Sequence, residues 1–263
     1  MKKRLLIAAV VLAGLFTVAC IFLYAVQEKL IFHPTKLEKS YAFEFDGTFE
    51  EKYIPVTDGT VLHGVLFQAD STKGLIFYLH GNGGAVHSWG GVAKTYTDLN
   101  YDVFIIDYRG YGKSEGSIHS ETQLAEDLQT VYDDLKKRYA ENTIVVLGYS
   151  IGTGPAAKLA SVNHPKLLIL QAPYYSLTNM MRSLFPVVPT FLLNYKFRTN
   201  EHLKLCTMPV IIFHGDQDEV IPYSSAVKLK EEVGTVNLIT LPGQTHNGMT
   251  DNPDYRAALN TIL

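Results

Sequence analysis

Ile144-Val145-Val146-Leu147-Gly148-Tyr149-Ser150-Ile151-Gly152-Thr153-Gly154-Pro155-Ala156-Ala157-Lys158-Leu159-Ala160 is the stretch that decides how this chain folds. Ile144 to Leu147 is a short apolar run without polar alternation, as expected of a strand covered on both faces. Pro155 to Ala160 is helix-competent. Between them, Gly148-Tyr149-Ser150-Ile151-Gly152 has the makings of a sharp strand-to-helix turn. A serine held at its tip exposes its oxygen, and the flanking glycines let strand and helix approach the turn. The helix N-terminus would add outward-facing amides and a dipole that favours developing negative charge. Ser150 is therefore the expected nucleophile.

The same five-residue pattern recurs in Gly112-Lys113-Ser114-Glu115-Gly116, so context has to separate the two copies. The second lies past its strand, beyond Tyr108 to Tyr111, and no helix begins before about Ser120. Lys113 and Glu115 suit a solvated loop. Ser114 is read as a loop serine among turn glycines.

A serine hydroxyl is a poor nucleophile at neutral pH and needs a base, which in turn needs an orienting acid. Around such a turn the partners follow in the chain order serine, acid, histidine. His246 alone lies late enough, in the loop Pro242-Gly243-Gln244-Thr245-His246-Asn247. For the acid, His214-Gly215-Asp216-Gln217-Asp218 offers two carboxylates at the end of a strand. Gly215 gives freedom to turn and Val220, Ile221 and Pro222 can anchor the loop, which favours Asp218 and leaves Asp216 as the alternative. Acyl transfer also needs amides aimed at the forming oxyanion, each worth roughly 3 to 4 kcal/mol. The Ile151 amide and, in His80-Gly81-Asn82-Gly83-Gly84, the Asn82 amide are the candidates, with His80 a structural residue.

Outward from this centre the chain alternates. Tyr53 to Val56 and Thr60 to Phe67 flank Asp58-Gly59, a dipeptide suited to the positive φ angles of a tight hairpin. Further β-rich runs follow at Leu75–Leu79, Val103–Ile106, Thr143–Leu147, Leu167–Leu170, Val210–Phe213 and Val236–Leu241. Glu121 to Arg138 reads as a helix with Leu124, Leu128, Val131, Tyr132 and Leu135 on one face and a capping box from Ser120 and Gln123. The alternation predicts an α/β fold, a doubly wound and mostly parallel sheet with its ligands at the carboxyl ends of the strands. Residues 46–263 form the expected catalytic domain, interrupted at 174–205 by a Met-, Phe-, Leu- and Pro-rich helical insertion over the site.

Lys2, Lys3 and Arg4 precede an uncharged stretch from Leu5 to Val26, about 22 residues and long enough to cross a hydrocarbon core. Residues 1–28 are expected to be a short stub and an uncleaved transmembrane anchor, and 29–45 a connector. Apolar residues after Val18-Ala19-Cys20 argue against processing there. The basic N-terminal flank predicts that the N-terminus stays inside and the catalytic domain faces the non-cytoplasmic side. A net charge of −3 with no basic, aromatic-interleaved run excludes nucleic acid as an expected partner. Two cysteines and scattered histidines give neither a disulfide scaffold nor a metal site, and no cofactor is expected.

Together with Leu30-Ile31-Phe32-His33-Pro34 and Asp107-Tyr108-Arg109-Gly110-Tyr111-Gly112, these motifs resemble the α/β-hydrolase superfamily. Within it the chain is similar to the membrane-anchored Bem46-like, ABHD13-like and ABHD17-like serine hydrolases, over nearly everything after the anchor. The resemblance implies Asp218 as the acid and a non-catalytic loop at Ser114. It also implies hydrolysis of carboxylic esters or thioesters, on a small-molecule or lipid-like acyl substrate. Amide hydrolysis through the same triad, or a binding protein that keeps the fold without turnover, are the alternatives. An aspartate in place of Ser150 would mark dehalogenase or epoxide chemistry.

Overall fold

The computed structural model describes residues 2–263. Its first element is the helix α1, Lys2–Ile31, 30 residues long and apolar enough to cross a membrane. The helix continues three residues into the stretch read as connector, so Lys29, Leu30 and Ile31 are helical.

The chain after the helix is built on an eight-stranded sheet whose strands are, in chain order, β1 (Thr48–Pro55), β2 (Val61–Gln68), β3 (Leu75–Leu79), β4 (Asp102–Ile106), β5 (Ile144–Tyr149), β6 (Leu167–Gln171), β7 (Val210–Gly215) and β8 (Asn237–Leu241). Their spatial order is β8-β7-β6-β5-β3-β4-β2-β1. β1 and β2 form an antiparallel hairpin and β2 pairs antiparallel with β4, while every other pairing is parallel. Every residue of β3, β4, β5 and β6 is buried, which is why their sequences show no alternation. The β1–β2 turn spans Val56 to Thr60, and of its residues only Gly59 takes a positive φ (83°). Asp58 stays in the ordinary region and accepts a hydrogen bond from the Thr60 amide, so this is a longer turn than the two-residue one the Asp-Gly pair suggests.

Helices cover both faces. On one lie α2 (Glu121–Leu135), α3 (Thr153–Ala160) and, later in the chain, a helix at Ser224–Glu232; on the other lie the helical turns of 86–97 and the last helix, Pro253–Ile262. Ser120 caps α2 by accepting from the Gln123 amide. The Gln123 side chain reaches one residue further back than a capping box requires and accepts from the His119 amide. The predicted apolar face of α2 is buried, and Asp127 beside it makes a two-pronged ion pair with Arg109 (2.5 and 2.7 Å). The helix ends at Leu135, and Lys136 to Tyr139 continue as turns.

Residues 174–205 contain α4 (Leu177–Leu184), a single 3₁₀ turn at Thr190–Leu192 and α5 (Thr199–Leu203). They leave the end of β6 and sit over the carboxyl end of the sheet beside the last turns of α1, where Gln27 donates to the Leu192 carbonyl (3.2 Å) and accepts from the Asn194 amide (2.8 Å).

Candidate active site

β5 delivers Ser150 directly to the turn before α3. Ser150 has a φ of +53°, a left-handed conformation that non-glycine residues seldom adopt and that stores strain. Close packing holds it there. A Cβ on Gly152 would stand 2.2 Å from the Leu79 carbonyl oxygen, and one on Gly148 would stand 2.6 Å from that of Gly152. The glycines on either side of the serine are required by approach, as the turn's sequence implies. Tyr174 locks the far side, donating to the Ile151 carbonyl and accepting from the Gly154 amide, each at 3.1 Å.

The Ser150 hydroxyl lies 3.1 Å from His246 Nε2, and His246 Nδ1 lies 2.8 Å from Asp218 Oδ2. A carboxylate only accepts, so Nδ1 carries the proton and the Nε2 lone pair faces the serine. The His246 loop is fastened by Tyr149, whose hydroxyl donates to the His246 carbonyl, and by Glu219, which accepts from the His246 amide (3.3 Å). Gly215 allows the acid loop and the histidine loop to touch, since a Cβ there would meet the Gln244 carbonyl at 2.0 Å.

Asp218 is surrounded by donors. Its Oδ1 accepts from the amides of Val220 (2.9 Å) and Ile221 (2.8 Å), and Oδ2 faces both His246 and His214 Nε2 (3.3 Å). Burial pushes its carboxyl up, but hydrogen bonds from His214, His246 and the Ile221 amide outweigh this and hold it well below the usual carboxylate range. Asp216 is exposed and turned away, accepting from the Gly243 amide (2.7 Å). Of the two carboxylates, Asp218 is the one beside the histidine.

Asn82 and Ile151 both line the cavity that contains Ser150 and His246. Among the described residues, no protein group accepts from either backbone amide. The Asn82 carbonyl is fixed from two sides, by the His33 amide (3.0 Å) and the Tyr111 hydroxyl (2.8 Å). His33–Pro34, just past α1, pairs as a two-residue parallel strand with Gly83–Gly84. His80 is buried against Tyr108, Trp89 and Tyr111 with Nδ1 on the Gly81 carbonyl, and burial lowers its pKa. It is placed as a structural residue.

The Ser114 loop differs from the sequence expectation in one respect. Lys113 is buried, pairing with Glu51 (2.6 Å) and lying over the Phe43 ring. Ser114 is also buried, accepting from the His63 amide (2.8 Å) and donating to the Asp107 carbonyl (2.6 Å). The His63 ring faces Asp107 and Glu51, so neither of its nitrogens is turned to a serine.

The cavity has a volume of about 550 Å³, within the range of small-molecule sites. One wall comes from α4 and the residues after it, including Met180, Leu184 and Phe185. The opposite wall comes from α1 itself, through Leu23, Tyr24, Gln27, Leu30 and Ile31. Tyr174, His214, Tyr149 and Gln27 were not singled out from sequence. No local pattern marks them: Tyr174, Tyr149 and Gln27 act through partners distant in the chain, and His214 reaches Asp218, four residues on, only through the fold of the intervening loop.

Residues 70–200 match the family model Hydrolase_4, described as serine aminopeptidase, S33. The protein bem46 of Schizosaccharomyces pombe is 30% identical over 245 residues, covering 86% of this chain and 82% of that protein. The chain belongs to the α/β-hydrolase superfamily, in its Bem46-like branch. A second relative in the family, the lysophosphatidylserine lipase ABHD12 of Macaca fascicularis, is 32% identical over 183 residues, covering 60% of this chain and 45% of that lipase. The chain thus spans less than half the length of that relative. The Pyrococcus furiosus esterase Pf2001 superposes with a TM-score of 0.71 at 18% identity, covering 89% of this chain and 96% of that one, a likeness of fold. As a member of this family, the chain is a hydrolase.

Proposed function

We propose that the protein is a membrane-anchored serine hydrolase that cleaves carboxylic esters or thioesters carrying lipophilic acyl groups. The observation that carries the reading is the Ser150–His246–Asp218 chain of contacts opening into a cavity walled by apolar side chains. In this mechanism His246 takes the Ser150 proton as the serine attacks the acyl carbon. The Asn82 and Ile151 amides hold the oxyanion. His246 then protonates the leaving group, and water, deprotonated by the same imidazole, releases the acyl group from Ser150. Asp218 orients His246 and stabilises its charged form. The anchor is α1, with the N-terminus inside and the catalytic domain on the non-cytoplasmic face.

A fluorophosphonate probe tests the nucleophile. Ser150→Ala abolishes labelling and ester hydrolysis, whereas Ser114→Ala keeps labelling; persistent labelling of the Ser150 variant would overturn the assignment. A second reading, amide hydrolysis, is favoured by the aminopeptidase description of the matching family model. Matched ester and amide substrates with the same acyl group separate the two.

A further inference from the structure

We propose that the stretch 184–193 is a second membrane-contacting element, seated in the same leaflet as the C-terminal half of α1. The gap between the two would be the passage by which a lipid acyl chain moves from the bilayer to Ser150. The inference rests on the reading of α1 as a membrane span and of Ser150 as the nucleophile.

Leu184, Phe185, Val187 and Phe191 are 64%, 58%, 76% and 80% exposed, a concentration of bare apolar surface within one short segment of the catalytic domain. Apolar area left in water forgoes about 25 cal/mol per Å², and such patches mark surfaces that meet another apolar phase. The partner is indicated by what lies alongside. Gln27 of α1 is bonded to Leu192 and Asn194, and further along the helix Pro189, Phe191 and Leu192 share the lining of a second cavity with Phe16, Cys20 and Tyr24. From Gln27 back to Phe16 the helix rises about 16 Å, roughly half of a hydrocarbon core about 30 Å thick. A bilayer that covers this half of α1 therefore also covers the turn containing Phe191.

The composition of the stretch fits that depth. No charged residue lies between Arg182 and Lys196, and these two cations bracket it as headgroup-level flanks do. Its backbone brings few free donors into hydrocarbon, where each is costly. Pro186 and Pro189 have no N–H, and the amides of Phe185, Val188, Leu192 and Leu193 donate to carbonyls within the segment or in α4, while that of Asn194 donates to Gln27. Between this stretch and α1 the cavity runs to Ser150, walled by Leu23, Tyr24 and Ile31 on one side and Leu184, Phe185 and Leu193 on the other. A lipid ester could present its carbonyl to Ser150 with its acyl chain still in apolar surroundings.

Val187 lines neither cavity, which makes it the test position. Full-length protein is reconstituted into phosphatidylcholine vesicles with or without bromine at mid-chain. In Val187→Trp the introduced indole is quenched by the brominated lipid well beyond the wild-type signal of Trp89. Val187→Glu lowers kcat/KM on a vesicle-borne long-chain ester at least tenfold and leaves a water-soluble acetyl ester within about twofold of wild type, and Val187→Leu behaves as wild type. If the chain fails to float with vesicles, the anchor reading falls and this inference with it. Failure to take up a fluorophosphonate overturns the hydrolase site and likewise the passage to it. A chain that floats and labels, yet shows an unquenched indole and unchanged vesicle activity in Val187→Glu, overturns the second membrane contact alone.

Discussion

The two carboxylates of the acid loop lie two residues apart, yet their surroundings assign them different work. Asp218 is held by two amides and two imidazoles, whereas Asp216 closes an exposed turn onto Gly243. On the proposed mechanism, Asp218→Asn lowers kcat by about three to four orders of magnitude, because His246 loses both its tautomer control and its counter-charge. Asp216→Asn should remain within about threefold of wild type, and the opposite ranking in steady-state assays would move the role to Asp216. The lowered carboxyl of Asp218 also has a consequence for stability. Its folded-state pKa lies below the unfolded value of about 3.9, so its contribution is fully present above about pH 4 and is lost as pH falls through the lowered value. Calorimetry should show the Tm difference between wild type and Asp218→Asn shrinking below about pH 4.

At the scale of elements, the sequence was most legible where burial is most complete. The central strands were bounded to within a residue or two because a fully covered strand permits little besides β-branched and other apolar side chains. The edge strand β1 begins at Thr48, five residues before the predicted start, because its outward positions tolerate charge and blur the pattern. The serine turn was legible through its glycines, and chain order pointed to the histidine that lies 3.1 Å from Ser150. The positioning contacts were not: that Tyr174 would lock the turn follows from a contact between loops on different strands, and that His214 would share Asp218, four residues on, follows from the fold of the loop between them. For α1 the sequence shows length and flanking charge. Lys2, Lys3 and Arg4 against the near-balanced Glu28 and Lys29 predict the N-terminus inside. Protease added to sealed vesicles of known orientation should digest the catalytic domain only from the non-cytoplasmic side, and digestion from the other side would reverse the topology.

For the molecule as a whole, α1 and the sheet domain are not separable units. The chain passes from α1 through Phe32 to His33–Pro34, which pairs with Gly83–Gly84 next to Asn82, and the last turns of α1 wall the cavity. A form beginning at Lys29 keeps the pairing with Gly83–Gly84 and the proposed triad, but it loses Leu23, Tyr24 and the bridge from Gln27 to Leu192 and Asn194. Cutting there should therefore change specificity more than chemistry. On esters from acetyl to octanoyl, the full-length enzyme in detergent should gain roughly fourfold in kcat/KM per buried methylene, from about 0.8 kcal/mol each. The truncated form should hydrolyse acetyl esters within a few-fold of full length, yet fall roughly tenfold or more behind it at octanoyl, as about two methylenes lose their apolar cover. Gln27→Ala in the full chain should move the profile partway in the same direction by releasing the insertion from α1. Parallel acyl-length profiles for the full and truncated forms would show that the end of α1 is a tether alone. Equal losses at every chain length would point instead to a disturbed oxyanion loop.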